Sequence, residues 1–210
     1  MKKARSLLII ILFSFASYCS GHYVEYKITL KNVDYVNTPD NDLGEKKIVL
    51  FQEKDELKSA YENEMIKIVW TPTPYRFLFA ITNKTQHSMK IIWKEAEYID
   101  QNGVAKKIMQ SAVALSERNG YHLPITVASG STVKGFVFPA DSLYWVSGDR
   151  GGWRQDPLFP YFNRTSAEDL MVEVKEYKGK SIQVLLPFDV QNSIYNYRFT
   201  FKISDVVLKE

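Results

Sequence analysis

Apolar and polar side chains alternate with a period of two in segment after segment of this chain, the pattern of strands with one buried face. "YVEYKITL" sets Val24, Tyr26, Ile28 and Leu30 on one side. "IKIVW" does the same with Ile66, Ile68 and Trp70, and "YRFLFAIT" with Phe77, Phe79 and Ile81. "MKIIW" and "AEYID" predict a further extended run, turned by Asn102-Gly103, a dipeptide suited to hairpins. "STVKGFVFP" places Val133 and Val137 together, and "LMVEVKEY" with "SIQVLLPFDV" reads as a hairpin around Gly179. The clearest strand is the last, "YNYRFTFKIS", where Tyr197, Phe199, Phe201 and Ile203 alternate with Arg198, Thr200 and Lys202.

Helical spacing is confined to "EKDELKSAYENE", where Leu57, Ala60 and Tyr61 predict one short surface helix. Helical segments do not alternate with the strands, which argues against a parallel α/β architecture. The fold class expected is therefore all-β: an antiparallel β-sandwich, immunoglobulin-like, forming a single domain over residues 24–210.

The N-terminus follows another rule. Lys2, Lys3 and Arg5 precede an apolar run from Leu7 to Phe13 and then Ala16 and Ser17, the layout of a secretory signal. The run is far below the ~20 residues that span a bilayer. Cys19, the single cysteine, stands where the signal of a bacterial lipoprotein resembles this one, just after the cleavage zone. That resemblance implies a signal over residues 1–18, lipid on Cys19, a tether over 19–23 and attachment to a membrane. Tyr18 departs from the small residue usual before such a cysteine, and cleavage after Ser17 or Ser20 by an ordinary signal peptidase is the alternative. Ser20 resembles the signal that sends lipoproteins to an outer membrane. With one cysteine, an exported domain has no internal disulfide and must rely on its core.

Charge narrows the partners. Removing 18 of the 210 residues leaves 192, and takes three of the 27 basic residues, leaving 24 against 24 acidic ones. A balanced chain has no general field for nucleic acid, so no nucleic-acid partner is expected.

Catalytic and metal-binding patterns are sparse. His22, His87 and His122 stand alone in their segments, with no metal-ligand spacing, so no metal or cofactor is expected. Asp141, Asp149 and Asp156 lie near Gly-rich turns, without the spacing of a calcium loop, and read as turn formers. "GKS" at 179–181 lacks the remainder of a phosphate loop, and the chain has no G-x-S-x-G. "NKT" at Asn83 and "NRT" at Asn163 match an N-glycosylation pattern, which would matter in a eukaryotic secreted protein and means nothing in the bacterium that the lipoprotein-like signal implies.

The unusual stretch is "LYWVSGDRGGWRQDPLFPYF", residues 143–162, which predicts a long aromatic loop. Tyr144, Trp145, Arg150, Trp153, Arg154, Phe159 and Tyr161 are the candidate binding residues, because Trp, Tyr and Arg anchor interfaces. Two structures fit that composition: a platform of exposed rings for peptide or glycan, or a plug whose rings fold back over the open end of the sandwich.

"FAITNKTQHSMKIIWKEAEYIDQNG", "MQSAV", "VFPADSLYW" and "GGWRQDPLFP" resemble segments of a group of uncharacterised bacterial envelope lipoproteins, over roughly residues 75–162. The resemblance implies an exported β-rich domain and brings no active site. The function expected is a lipid-anchored envelope protein that acts as a non-catalytic binding or structural module, with a protein or glycan partner met at the 143–162 loop or a sheet edge. The alternatives are an envelope hydrolase using Asp141 and Asp156, or an accessory subunit of a secretion or surface-assembly complex.

Overall fold

A computed structural model describes residues 21–36, 43–117, 122–163 and 166–209. The signal segment, Cys19 and Ser20 lie outside the described residues. In chain order the strands are β1 (His22–Val36), β2 (Lys47–Glu53), β3 (Glu56–Glu62), β4 (Ile66–Pro72) and β5 (Phe77–Asn83). Next come β6 (Met89–Ile91), β7 (Glu97–Ile99), β8 (Ala105–Gln110), β9 (Ile125–Val127) and β10 (Thr132–Pro139). The last are β11 (Leu143–Val146), β12 (Gly152–Gln155), β13 (Phe162–Asn163), β14 (Ser181–Val190) and β15 (Ser193–Lys209), with one helix, α1 (Ala167–Val174), before β14.

The all-β, antiparallel class expected is the class observed. One hydrogen-bonded path runs β13-β1-β15-β14-β7-β8-β10-β5-β4-β3-β2, with β6 and β9 branching from β14. The path wraps until β1 meets β3, where the Leu30 amide donates to Ser59 Oγ at 3.0 Å. The barrel-like sheet is thus nearly closed, and the seam is bridged by a side chain instead of a backbone ladder. β1 pairs along its length with β15, from Tyr23 opposite Lys209 to Val36 opposite Asn196, with bulges after Lys27 and Leu30.

Inside the wrap the alternating positions meet. Ile66, Ile68, Trp70, Phe77, Ile81, Tyr197, Phe199, Phe201 and Ile203 are all fully buried, as their period-two spacing predicts. Trp70 lies edge-on to Phe199 and Phe201, with ring centroids 5.3 and 5.4 Å apart, and Phe77 is 4.8 Å from Phe201. Aromatic pairs at such distances add roughly 0.5–1.5 kcal/mol each beyond the area they bury.

Two elements differ from expectation. The segment expected to be helical is the β2–β3 turn followed by β3, and Ser59 and Tyr61 pair with Trp70 and Ile68 of β4. Lys54 and Asp55 make its two-residue turn with φ of 49° and 64°, the left-handed pair a tight hairpin needs. Conversely, "LMVEVKEY" is not a strand. Ser166 accepts from the Asp169 amide at 3.1 Å and caps α1, whose Leu170 and Val174 are buried on Val24. Glu168 and Asp169 in its first turn suit the positive end of the helix dipole.

Candidate binding site

Residues 143–155 are not a structureless loop. Leu143–Val146 and Gly152–Gln155 pair as an antiparallel ribbon separate from the main sheet, with Tyr144 opposite Arg154 and Trp145 opposite Trp153. Glycines make the turn: Gly148 has φ of +115°, and a Cβ on Gly151 would stand 2.7 Å from the Val146 carbonyl oxygen. Four-residue strands offer too few positions for alternation to show in the sequence, which is why the ribbon is not predicted.

Alternation does divide the ribbon into two faces. On one, Leu143 is buried with Met109, Phe138 and Ala140, and half-buried Trp153 packs on this small core. Trp145 stands edge-on to Trp153, with centroids 5.6 Å apart at 76°, and is 57 % exposed. Trp153 is the footing and Trp145 the ring on offer. On the other face Tyr144 is 42 % exposed and donates its hydroxyl to Asp156 Oδ1 at 3.2 Å, which raises the phenol above its ordinary pKa. Arg154 donates to the carbonyls of Arg150 (3.0 Å) and Trp153 (3.3 Å), so it braces the turn, and Arg150 is exposed beside it.

Residues 156–162 behave differently. The Asp156 amide donates to the Ser142 carbonyl and the Leu158 amide to the Pro74 carbonyl, tying the segment to the wall. Phe159 is 4 % exposed, with its ring 5.0 Å from Tyr26 and 5.6 Å from Tyr177, and Tyr26 donates to the Pro160 carbonyl at 2.6 Å. Half-buried Tyr161 touches Tyr23 and Tyr75. Tyr23, Tyr26, Phe159 and Tyr161 line a cleft of about 260 Å³ beside the seam, together with Thr71 and Pro72. The candidate stretch is therefore half platform and half plug: Tyr144, Trp145, Arg150 and Arg154 lie on the surface, Phe159 in the core.

Beneath the ribbon opens a polar cleft of about 220 Å³, lined among others by Asp100, Gln101, Lys106, Asp141 and Asp156. Lys106 Nζ lies 2.9 Å from Asp141 Oδ2 and 3.6 Å from Asp100 Oδ2, and its pKa is raised, chiefly by the hydrogen bond to Asp141. Asp100 Oδ1 also accepts from the Asn102 and Val104 amides, and so fixes the turn between β7 and β8. Tyr98, packed behind, is pushed well above its usual pKa by burial. The cleft offers carboxylate, amide and ammonium groups, and Tyr144 is tied to one of them, Asp156, through its hydroxyl. Asp100, Gln101 and Lys106 carry no signal in the sequence beyond the turn at Asn102-Gly103, because only the β7–β8 hairpin brings them against residues 141–156.

No protein-family model matches the chain, and neither a curated protein nor a solved structure does. The site stands on its own geometry. Asp141 and Asp156 share the polar cleft, whereas Asp149 is exposed in the ribbon's turn. Among the described residues no three His, Cys, Asp or Glu side chains gather so as to hold a metal ion. His22 begins β1, His87 is exposed in the turn before β6, and His122 is buried before β9. Asn83 is fully buried, and its amide donates to the carbonyls of His87 (2.7 Å) and Val127 (2.9 Å), so it pins two turns and presents no nitrogen to an outside group. The side chain of Asn163 lies outside the described residues.

Proposed function

We propose that this protein is an exported bacterial lipoprotein, anchored through Cys19, whose β-domain binds an envelope glycan without chemistry of its own. The observation that carries the reading is Trp145: a ring more than half exposed, fixed on a two-stranded ribbon by a partly buried partner. A loose loop would fold such a ring away, because exposing it costs solvation free energy. Sugar rings stack their C–H faces on aromatic side chains and spend their hydroxyls on carboxylates and amides. Tyr144, on the ribbon face that reaches Asp156, supplies the first kind of contact beside Asp141, Asp156 and Gln101, which supply the second, and Trp145 offers a further ring on the opposite face. A few polar groups set beside aromatic faces are the ordinary makeup of a small-ligand site.

Two observations support the address: the basic start with a short apolar run, and the single cysteine directly behind it. Several acyl chains at one terminus hold firmly, at ~0.8 kcal/mol per buried methylene. Labelling with radioactive palmitate tests it. Incorporation into the wild type and none into Cys19→Ala is expected; equal labelling of both ends the anchor. For the ligand, sedimentation with isolated peptidoglycan sacculi is the measurement, and Trp145→Ala with Tyr144→Ala should lower retention at least ~30-fold, the ~2 kcal/mol of an interface anchor. Unchanged retention in a folded variant would remove the platform.

A second reading, glycan hydrolysis, has one observation in its favour: Asp141 and Asp156 line the same cleft. Release of reducing ends from the same sacculi, lost in Asp156→Asn, separates it from binding alone.

A further inference from the structure

β2 ends the hydrogen-bonded path, so among the described residues one of its two edges has no strand hydrogen-bonded to it, although β1 approaches the strand where Lys46 Nζ lies 3.8 Å from the Tyr35 ring. Unpaired edges are normally shielded by charge, proline, a bulge or brevity. This one is seven residues long, "KIVLFQE", with no proline or glycine and pairing β3 without a register shift. Its apolar residues are outside: Ile48 and Val49 are 40 % exposed and Leu50 52 %. Because neighbours alternate between faces, both faces of the strand are apolar.

The charges explain what the edge is for. Lys47 opens the strand and Glu53, which also pairs with Lys58 of its own chain at 2.6 Å, closes it, at equal distances from Leu50. Two copies of β2 laid antiparallel about a two-fold axis through Leu50 set Lys47 of each opposite Glu53 of the other. The same register sets Val49 opposite Phe51, a β-branched–aromatic pair of the kind that stabilises sheets. Shifting the axis to Val49 would oppose Glu45 and Glu53, two like charges, at both ends. We propose that β2 is a homodimerisation edge, pairing with β2 of a second copy in the Leu50-centred register. The contact is self-complementary and closes on itself, so it yields a dimer and no chain of higher order.

The test uses the full chain, expressed with its own signal and kept in membranes, with oxidative cross-linking read on non-reducing gels. Leu50→Cys places two thiols at the axis and should give a covalent dimer. Ile48→Cys, on the same face, lies opposite Gln52 of the partner and should not. Lys47→Glu and Glu53→Lys, each introduced with Leu50→Cys, should lower the cross-linked fraction several-fold, and the double exchange should restore it. These positions are exposed, and circular dichroism of each variant confirms an unaltered fold. Absence of a Leu50→Cys dimer, equal linking from Ile48→Cys, a ladder of larger species, or an exchange that fails to restore linking overturns the proposal.

Discussion

Asn63 Nδ2 donates to the hydroxyl of Tyr197 at 3.0 Å, joining the turn between β3 and β4 to the terminal strand. The same nitrogen reaches Tyr35 Oη at 3.1 Å, and the Asn63 carbonyl oxygen accepts from the Met65 and Ile66 amides at 3.0 and 2.9 Å. Tyr35 and Tyr61 share a further hydroxyl bond of 2.7 Å. One side chain thus satisfies four buried polar groups. Asn63→Ala strips the Met65 and Ile66 amides of this partner and leaves Tyr35 only its bond to Tyr61 and Tyr197 only its contact with Met65 Sδ, and should cost about 2–4 kcal/mol in urea unfolding, far above an exposed Asn→Ala.

Two phenols of that network, Tyr61 and Tyr197, hold their protons more firmly than an exposed phenol. Burial raises Tyr61 and Tyr197 well above the ordinary phenol value, and Tyr26 and Tyr98 likewise. A raised acid keeps its proton in the folded state while the unfolded chain loses it above pH ~10. The stabilisation is therefore complete below pH ~10 and declines as pH rises beyond it. Absorbance at alkaline pH should show the exposed phenols ionising first. These four should follow only as near-ultraviolet dichroism collapses.

Trp145 and Trp153 should part company under substitution. Trp145→Ala removes an exposed ring and should shift stability by no more than ~0.5 kcal/mol. Trp153→Ala withdraws the footing of the ribbon and should cost about 2–4 kcal/mol, with earlier proteolysis at residues 147–151. Equal costs for the two would mean that Trp145 is structural.

Phe159→Ala should behave as a core deletion, losing about 3–5 kcal/mol, since the ring is wedged between Tyr26 and Tyr177. Binding to sacculi should survive it at temperatures below unfolding. Loss of binding with stability intact would move the site from the ribbon to the cleft beside the seam.

Strands whose faces differ were legible. Ile66, Ile68 and Trp70, or Tyr197 through Ile203, announce a buried side because every second residue is apolar and the rest are not. β3 was illegible for a physical reason: Leu57, Ala60 and Tyr61 satisfy helical spacing, and only pairing with β2 and β4 on both sides makes them a strand. α1 fails in the opposite direction, for Leu170, Val172 and Val174 alternate like a strand while Val172 lies 74 % exposed on a helix. Its signature was present in "SAED", a capping serine with two acids after it. For the candidate site, residue types singled out the 143–162 segment, but the division at Asp156 between an exposed ribbon and a buried plug depends on contacts with Tyr26, Pro74 and Tyr177, distant in sequence.

The long ladder between the opening and closing strands has a consequence for biogenesis. β1 is synthesised first and β15 last, so almost the whole polypeptide must emerge before its largest pairing can form. Contacts of such separation make for slow folding. Under the export proposed above, that delay would hold β1 without its partner until β15 had crossed as well.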